Sequence, residues 1–198
     1  MTRAIWLVCA YLIGSIPTGY WLGKAWKGID VRQQGSGNLG ATNVFRVLGK
    51  GPGTITLVID ILKGVLPVLA AQHLQPASAL FPLAIGLAAI VGHTTSVFVR
   101  FRGGKGVATS AGVFAALLPL PSAIAFVTFG ITLWISRIVS ISSILSALAL
   151  ALSAHLLLMP RPLAWAATGI ALFVMWTHRS NLKRLAQGKE LKVGSKPS

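Results

Sequence analysis

Acid is nearly missing from this sequence. Against 18 lysines and arginines stand three carboxylates, Asp30, Asp60 and Glu190, for a formal net charge of +15. Charge of either sign is scarce too: 11% of residues carry one, while 54% are apolar and the mean hydropathy is +0.74. A soluble domain of 198 residues needs more polar surface than this, which places the chain in the membrane class. The single cysteine, Cys9, excludes an intrachain disulfide and reads as a small packing residue in an apolar run. No Cys/His cluster has metal-ligand spacing, so no metal and no organic cofactor are expected. No run of strict alternation appears, which argues against a β-barrel. No repeat, linker or second domain is visible, and residues 1–198 read as one membrane domain. The N-terminal apolar run lacks an A-x-A cleavage pattern and reads as a first span rather than a signal peptide.

What is present is a succession of apolar runs. A span needs ~20 mostly apolar residues, since each adds ~1.5 Å across a core of ~30 Å. Residues 4–22, 54–71, 78–98, 138–158 and 162–178 meet that length. The stretch 107–136 is apolar throughout but holds Pro119 and Pro121, which break a helix, so it divides into 107–118 and 121–136. Short or broken membrane helices are tolerated where they line a cavity. The expectation is an all-α bundle of seven membrane helices, or of five if the proline hairpin is re-entrant.

Charge sets the orientation. With the N-terminus outside, every Lys and Arg falls on the inner side except Arg3 and Arg161, outside, and Lys63, within a span. The inner set includes Lys196 near the C-terminus. Three polar or basic segments then share the cytoplasmic face: 23–53, 99–106 and 179–198. A pI near 11.5 is shared by nucleic-acid-binding proteins, but here the bases sit between apolar runs, which excludes that partner. Anionic headgroups and a phosphate-bearing substrate remain. The six tryptophans mostly fall near span ends, as an interfacial belt would.

The first polar segment runs Gln34-Gly-Ser-Gly-Asn-Leu-Gly-Ala-Thr-Asn-Val-Phe-Arg46. Gly35, Gly37 and Gly40 have G-x-G-x-x-G spacing, but no buried strand precedes them and Asp60 lies in a span, so a dinucleotide site is rejected. Exposed amides with Ser36, Asn38, Thr42, Asn43 and the planar cation of Arg46 instead suit an oxyanion cradle. The second segment, Gly92 to Thr109, carries Gly103-Gly104-Lys105-Gly106 at the mouth of an apolar helix. Gly106 follows Lys105, so Walker A fails, yet helix N-terminal amides beside a lysine still favour an anion. The third, His178 to Glu190, follows the last span, with His178 and Asn181 on one helix face and Glu190 able to pair with a base.

Asp60 and Lys63 lie one turn apart within a span and read as a structural ion pair. Ser140, Ser142 and Ser143 follow Arg137 at an inner span end, where hydroxyls either cap and pack or hold a phosphate. His73, His93 and His155 show no partner in the sequence and read as packing or interface residues.

Taken in order, Ser36 to Arg46, Asp60-Ile-Leu-Lys-Gly64, Gly92-His to Thr109 and His178 to Glu190 resemble the motifs of the bacterial acyl-phosphate–glycerol-3-phosphate acyltransferases, the PlsY family, across almost the whole chain. The resemblance implies seven membrane helices in the bacterial inner membrane and an active site on the cytoplasmic face. It implies acyl transfer from acyl phosphate to glycerol 3-phosphate, giving lysophosphatidic acid and phosphate in phospholipid biosynthesis. It also implies that Ser36 and Arg46 belong to the first functional motif, Lys105 with its glycines to the second, and His178, Asn181 and Glu190 to the third. The resulting expectation makes Ser36, Lys105, His178 and Asn181 catalytic. Arg46, Asn38, Thr42, Asn43, Gly103, Gly104, Gly106, Ser142, Ser143 and Glu190 would bind substrate. A His-x-x-x-x-Asp pair is absent, because the fifth residues after the four histidines are Ser78, Phe98, Pro160 and Lys183. Acyl phosphate is an activated anhydride, so its own phosphate could take the hydroxyl proton, with His178 as the alternative base. The rival class is a transporter or channel for an organic phosphate.

Overall fold

The computed structural model describes residues 2–194; Lys196, placed on the inner side above, lies outside that range. Among the described residues there are ten α-helices, two short 3-10 turns and no strand, as the all-α expectation requires. The chain divides into two compact units, Met1–Leu117 and Leu118–Ser198.

The first unit holds α1 (Arg3–Ser15), α2 (Thr18–Lys27), α3 (Ala41–Leu48), α4 (Lys50–Leu74), α5 (Leu80–Thr94) and α6 (Val107–Leu117). Pro17 separates α1 from α2, because it has no N–H to continue the ladder. Together they make a 25-residue apolar stretch, Arg3–Lys27, longer than the expected 4–22. Small residues bring these helices close. A Cβ on Gly14 would fall 2.1 Å from the Ala89 carbonyl, and one on Gly92 2.1 Å from that of Tyr11, so α1 and α5 touch backbone to backbone. Gly64 and Gly112 do the same for α4 and α6, each 2.2 Å from a facing carbonyl, Thr109 and Ile61. Arg3 bonds Gln75 and lies over the Phe81 ring, which puts the start of α1, the end of α4 and the start of α5 at one end of this unit.

The sequence reading places no helix at α3. Its eight residues are amphipathic, and Val44 and Leu48 join Val31, Leu39 and Val99 in a small apolar core beneath the glycine loop. The second unit holds α7 (Pro119–Ser136), α8 (Val139–Leu156), α9 (Arg161–Thr177) and α10 (Arg179–Ala186). Proline at the first turn starts both α7 and α9, where its missing N–H costs no bond. Val193 donates to the Arg137 carbonyl at 2.7 Å, tying the tail to the α7–α8 turn.

Among the described residues five stretches are long and apolar enough to cross a membrane: Arg3–Lys27, Lys50–Leu74, Leu80–Val99, Pro119–Ser136 and Val139–Leu156. Val107–Leu117 is apolar but shorter, and α9 has 17 residues.

Candidate active site

In the first unit the glycine loop is built around Asn43. Its Oδ1 accepts from the Ser36 amide at 2.7 Å, and its Nδ2 donates to the carbonyls of Val31 and Gln34. Both donors and one acceptor position are engaged inside the protein, and the residue is 1% exposed. Asn43 is thus a buried scaffold for the loop. Gly35, at φ +61°, passes so close that a Cβ would lie 2.3 Å from that Oδ1. Asn38 Oδ1 likewise turns inward, accepting from the Gly40 amide at 2.8 Å just before α3. Ser36 is exposed at the loop tip, and Thr42 and Arg46 are half-buried on α3.

Arg32 anchors the same loop from below. Its guanidinium grips Asp30 through Nε and Nη2, the latter at 2.7 Å, and lies over the Tyr20 ring. The side-chain hydrogen bond from Arg32 holds the Asp30 carboxyl below its usual range and raises the guanidinium in turn.

The Gly-Gly-Lys-Gly turn is pinned to the end of α5. Gly103 donates to the Thr94 carbonyl at 3.1 Å and Gly104 to that of His93 at 3.0 Å. A Cβ on Gly103 would sit 2.0 Å from the His93 carbonyl, so these two glycines serve close approach. Their amides bond the last carbonyls of α5. Lys105 is half-buried beyond them, and Gly106, at φ +80°, turns the chain into α6. A small cleft in this unit is lined by Pro17, Thr18, Asp60, Lys63, His93, Ser96, Gly103 and Gly104. His93 has a partner after all, the Lys63 ammonium, 3.3 Å from Nδ1.

The second unit gathers its polar groups on Glu190. Oε1 accepts from Ser140 Oγ at 2.9 Å and from Asn181 Nδ2, and Oε2 accepts from Arg184 Nε at 2.8 Å. Burial pushes the carboxyl up, but the bonds from Asn181, Ser140 and Arg184 outweigh it and hold Glu190 below the usual range. Asn181 is thereby oriented by a carboxylate, and Ser140, for which the sequence left capping, packing and phosphate binding open, is one of the donors. His178 is 3% exposed, with Nδ1 2.8 Å from the Val174 carbonyl. A carbonyl only accepts, so the proton lies on Nδ1 and a neutral ring carries its lone pair on Nε2. Ser142 and Ser143 each donate their hydroxyl to the carbonyl four residues back, Ile138 and Val139 at 2.9 Å. Both are buried, and in this rotamer their protons bond helix α8 rather than an anion.

Each of the three acids therefore has a basic partner: Asp30 with Arg32, Asp60 with Lys63 and Glu190 with Arg184. Among the described residues no group of three His, Cys, Asp or Glu could hold a metal ion.

Among the described residues an all-helical chain with five apolar stretches of span length defines the architecture of an integral membrane protein. The glycerol-3-phosphate acyltransferase family model matches residues 4–188. The chain is 44% identical over 196 residues to the glycerol-3-phosphate acyltransferase of Desulforamulus reducens, covering 99% of this chain and 98% of that one. It superposes on the crystal structure of PlsY (YgiH), an integral membrane glycerol 3-phosphate acyltransferase, in its glycerol 3-phosphate form. The TM-score is 0.91 at 38% identity, covering 97% of this chain and 96% of the other. The lysophosphatidic acid form of the same protein gives 0.88 at 38% identity, over 97% and 95%. This chain belongs to the glycerol-3-phosphate acyltransferase family and is an integral membrane acyltransferase.

Proposed function

We propose that the acyl donor is acyl phosphate, that glycerol 3-phosphate is the acceptor, and that the product is lysophosphatidic acid for phospholipid synthesis. The observation that carries the choice of donor is the pairing of all three carboxylates with bases. His178 Nδ1 is held by the Val174 carbonyl and each carboxylate is already engaged by a base, which favours a donor that brings its own good leaving group. Acyl phosphate brings a good one. The acceptor hydroxyl oxygen attacks the acyl carbonyl carbon, the bond from that carbon to the phosphate oxygen breaks, and the hydroxyl proton ends on the departing phosphate. Proximity and charge neutralisation then supply most of the rate.

In this reading Arg46 and Lys105 hold phosphate groups, Ser36 and Asn181 orient the glycerol, and His178 Nε2 bonds a phosphate or hydroxyl oxygen. Glu190 acts through Asn181. The match from 4 to 188 runs through both compact units, which supports one acyltransferase domain.

Purified protein given acyl phosphate and labelled glycerol 3-phosphate is expected to release labelled lysophosphatidic acid and inorganic phosphate. Uptake of label into sealed vesicles without product would overturn the reading in favour of a transporter. Activity with an acyl thioester but not with acyl phosphate would overturn the donor.

The proposed topology has seven spans in the bacterial inner membrane, the N-terminus outside and the site facing the cytoplasm. The positions of Lys and Arg support it, as does the grouping of Arg3, Gln75 and Phe81 at one end. In a Cys9→Ser background, Gln75→Cys and Pro160→Cys are expected to react with an impermeant thiol reagent from outside, and Gly188→Cys only from inside. The opposite labelling would overturn it.

A further inference from the structure

Three ionisable side chains meet between helices of the first unit that are mostly apolar. Lys63 and Asp60 stand one turn apart on α4, with Nζ 2.6 Å from Oδ1 and side chains only 4% and 3% exposed. The ammonium has three N–H donors and finds three acceptors: Asp60 Oδ1, the Ile16 carbonyl at 2.8 Å and His93 Nδ1 at 3.3 Å. An ammonium has no lone pair, so Nδ1 accepts and the His93 proton sits on Nε2, the opposite tautomer to His178. Thr18 adds a longer contact, Oγ1 to Asp60 Oδ1 at 3.4 Å. The far edge of the imidazole lies against the glycine turn. A Cβ on Gly104 would fall 2.3 Å from Nε2, and the His93 carbonyl receives the Gly104 amide. Lys105 is the next residue.

The network therefore joins three places that the sequence keeps far apart: the break between α1 and α2 at Ile16, the middle of α4, and the turn before Lys105. Fold stability alone does not explain it, because buried ion pairs are often replaced by apolar side chains of like volume with no loss of stability. The cost of charge in an apolar helix makes the arrangement more demanding still.

We infer that Asp60, Lys63 and His93 form a positioning device for Lys105, fixing the glycine turn so that the ammonium meets substrate phosphate. The inference rests on the reading of Lys105 as a phosphate ligand given above. None of the three touches substrate; each acts through the next. The ammonium of Lys63 sets the ring of His93, and the ring and carbonyl of His93 set Gly103 and Gly104.

The test compares variants in detergent by thermal melting and by kcat and KM for both phosphate-bearing substrates. Asp60→Leu/Lys63→Met replaces the pair by apolar groups. It is expected to melt no lower than wild type, yet to lose at least tenfold in kcat/KM, with KM raised for a phosphate-bearing substrate. His93→Gln, whose amide oxygen can still accept from Lys63, should stay within threefold of wild type, while His93→Phe should fall with the double variant. A double variant that melts normally with wild-type kcat and KM overturns the inference. So do equal kinetics for His93→Gln and His93→Phe, which decide the matter if the double variant does not assemble. Lys105→Ala separates the two levels. Wild-type kinetics in that variant would overturn the phosphate role itself, whereas an inactive Lys105→Ala beside a normal double variant would overturn only the positioning.

Discussion

Ser140 Oγ and Glu190 Oε1 lie 2.9 Å apart although 50 positions separate them in sequence. The bond joins the first turn of α8 to the tail after α10, and the same carboxylate oxygen takes the Asn181 amide. Glu190 is thus the fixed point from which Asn181 is aimed.

Replacing Glu190 by Gln keeps the shape but removes the charge that Arg184 and Asn181 both address. Hydrogen bonds to a charged group contribute ~1.5–3 kcal/mol each, so the expected outcome is a lower melting temperature and a fall of about tenfold or more in kcat/KM. Steady-state kinetics with glycerol 3-phosphate as varied substrate would check it. Wild-type kinetics would show that Asn181 needs no such aim.

The same residue predicts a pH dependence. Its folded carboxyl is held below the ordinary value by Asn181, Ser140 and Arg184, against the opposing push of burial. Its stabilisation is therefore complete above the unfolded-state pKa and is lost as pH falls through the lowered folded one. The melting-temperature gap between wild type and Glu190→Gln should be constant from neutral pH to about pH 5 and should close below about pH 4. A gap that widens on acidification would contradict the arrangement.

Asn43→Ala would remove three hydrogen bonds from the loop, one from the Ser36 amide and one to each of the Val31 and Gln34 carbonyls, which then keep only the backbone donors Gln34 and Gly37. Each such bond contributes ~0.5–1.5 kcal/mol, so protease cleavage within 31–40 should become faster and activity should drop severalfold or more. Limited proteolysis in detergent reads this directly.

Gly64→Ala places a methyl 2.2 Å from the Thr109 carbonyl and must push α6 off α4. Overpacking typically costs ~1–3 kcal/mol, and thermal melting should fall accordingly. Gly130→Ala, at a site on α7 with open space around it, should melt as wild type and serves as the matched control.

For His178 the two proton routes separate by pH profile. With the leaving phosphate as acceptor, His178→Gln is expected to lower the rate without removing a limb of the kcat/KM profile. Loss of the alkaline-rising limb in that variant would make Nε2 the base.

The apolar runs and the cut at Pro119 were legible in sequence, because hydropathy and a missing N–H act locally. That is why the break at Pro119 and the helices Val139–Leu156 and Arg161–Thr177 fall close to where composition puts them, whereas the break at Pro17 falls inside the expected 4–22 span and was not foreseen, and Pro67 leaves α4 continuous. The choice of Lys105, His178, Asn181 and Arg46 rested on motif order, which is also a one-dimensional property. Helix α3 was not legible: it is eight residues long, and its hydrophobic face matters only once Val31, Leu39 and Val99 are beside it.

Direction of side chains was beyond the sequence altogether. Nothing in the order of residues says that Asn43 turns inward while Ser36 stays exposed, or that the Gly103 and Gly104 amides are taken by α5. His93 seemed without a partner because Lys63 is 30 positions away, and only the packing of α4 against α5 brings them within 3.3 Å. Hydropathy and charge sign accumulate along the chain and can be read there. Hydrogen bonds depend on distances of a few tenths of an ångström between distant segments, and tertiary packing alone sets those.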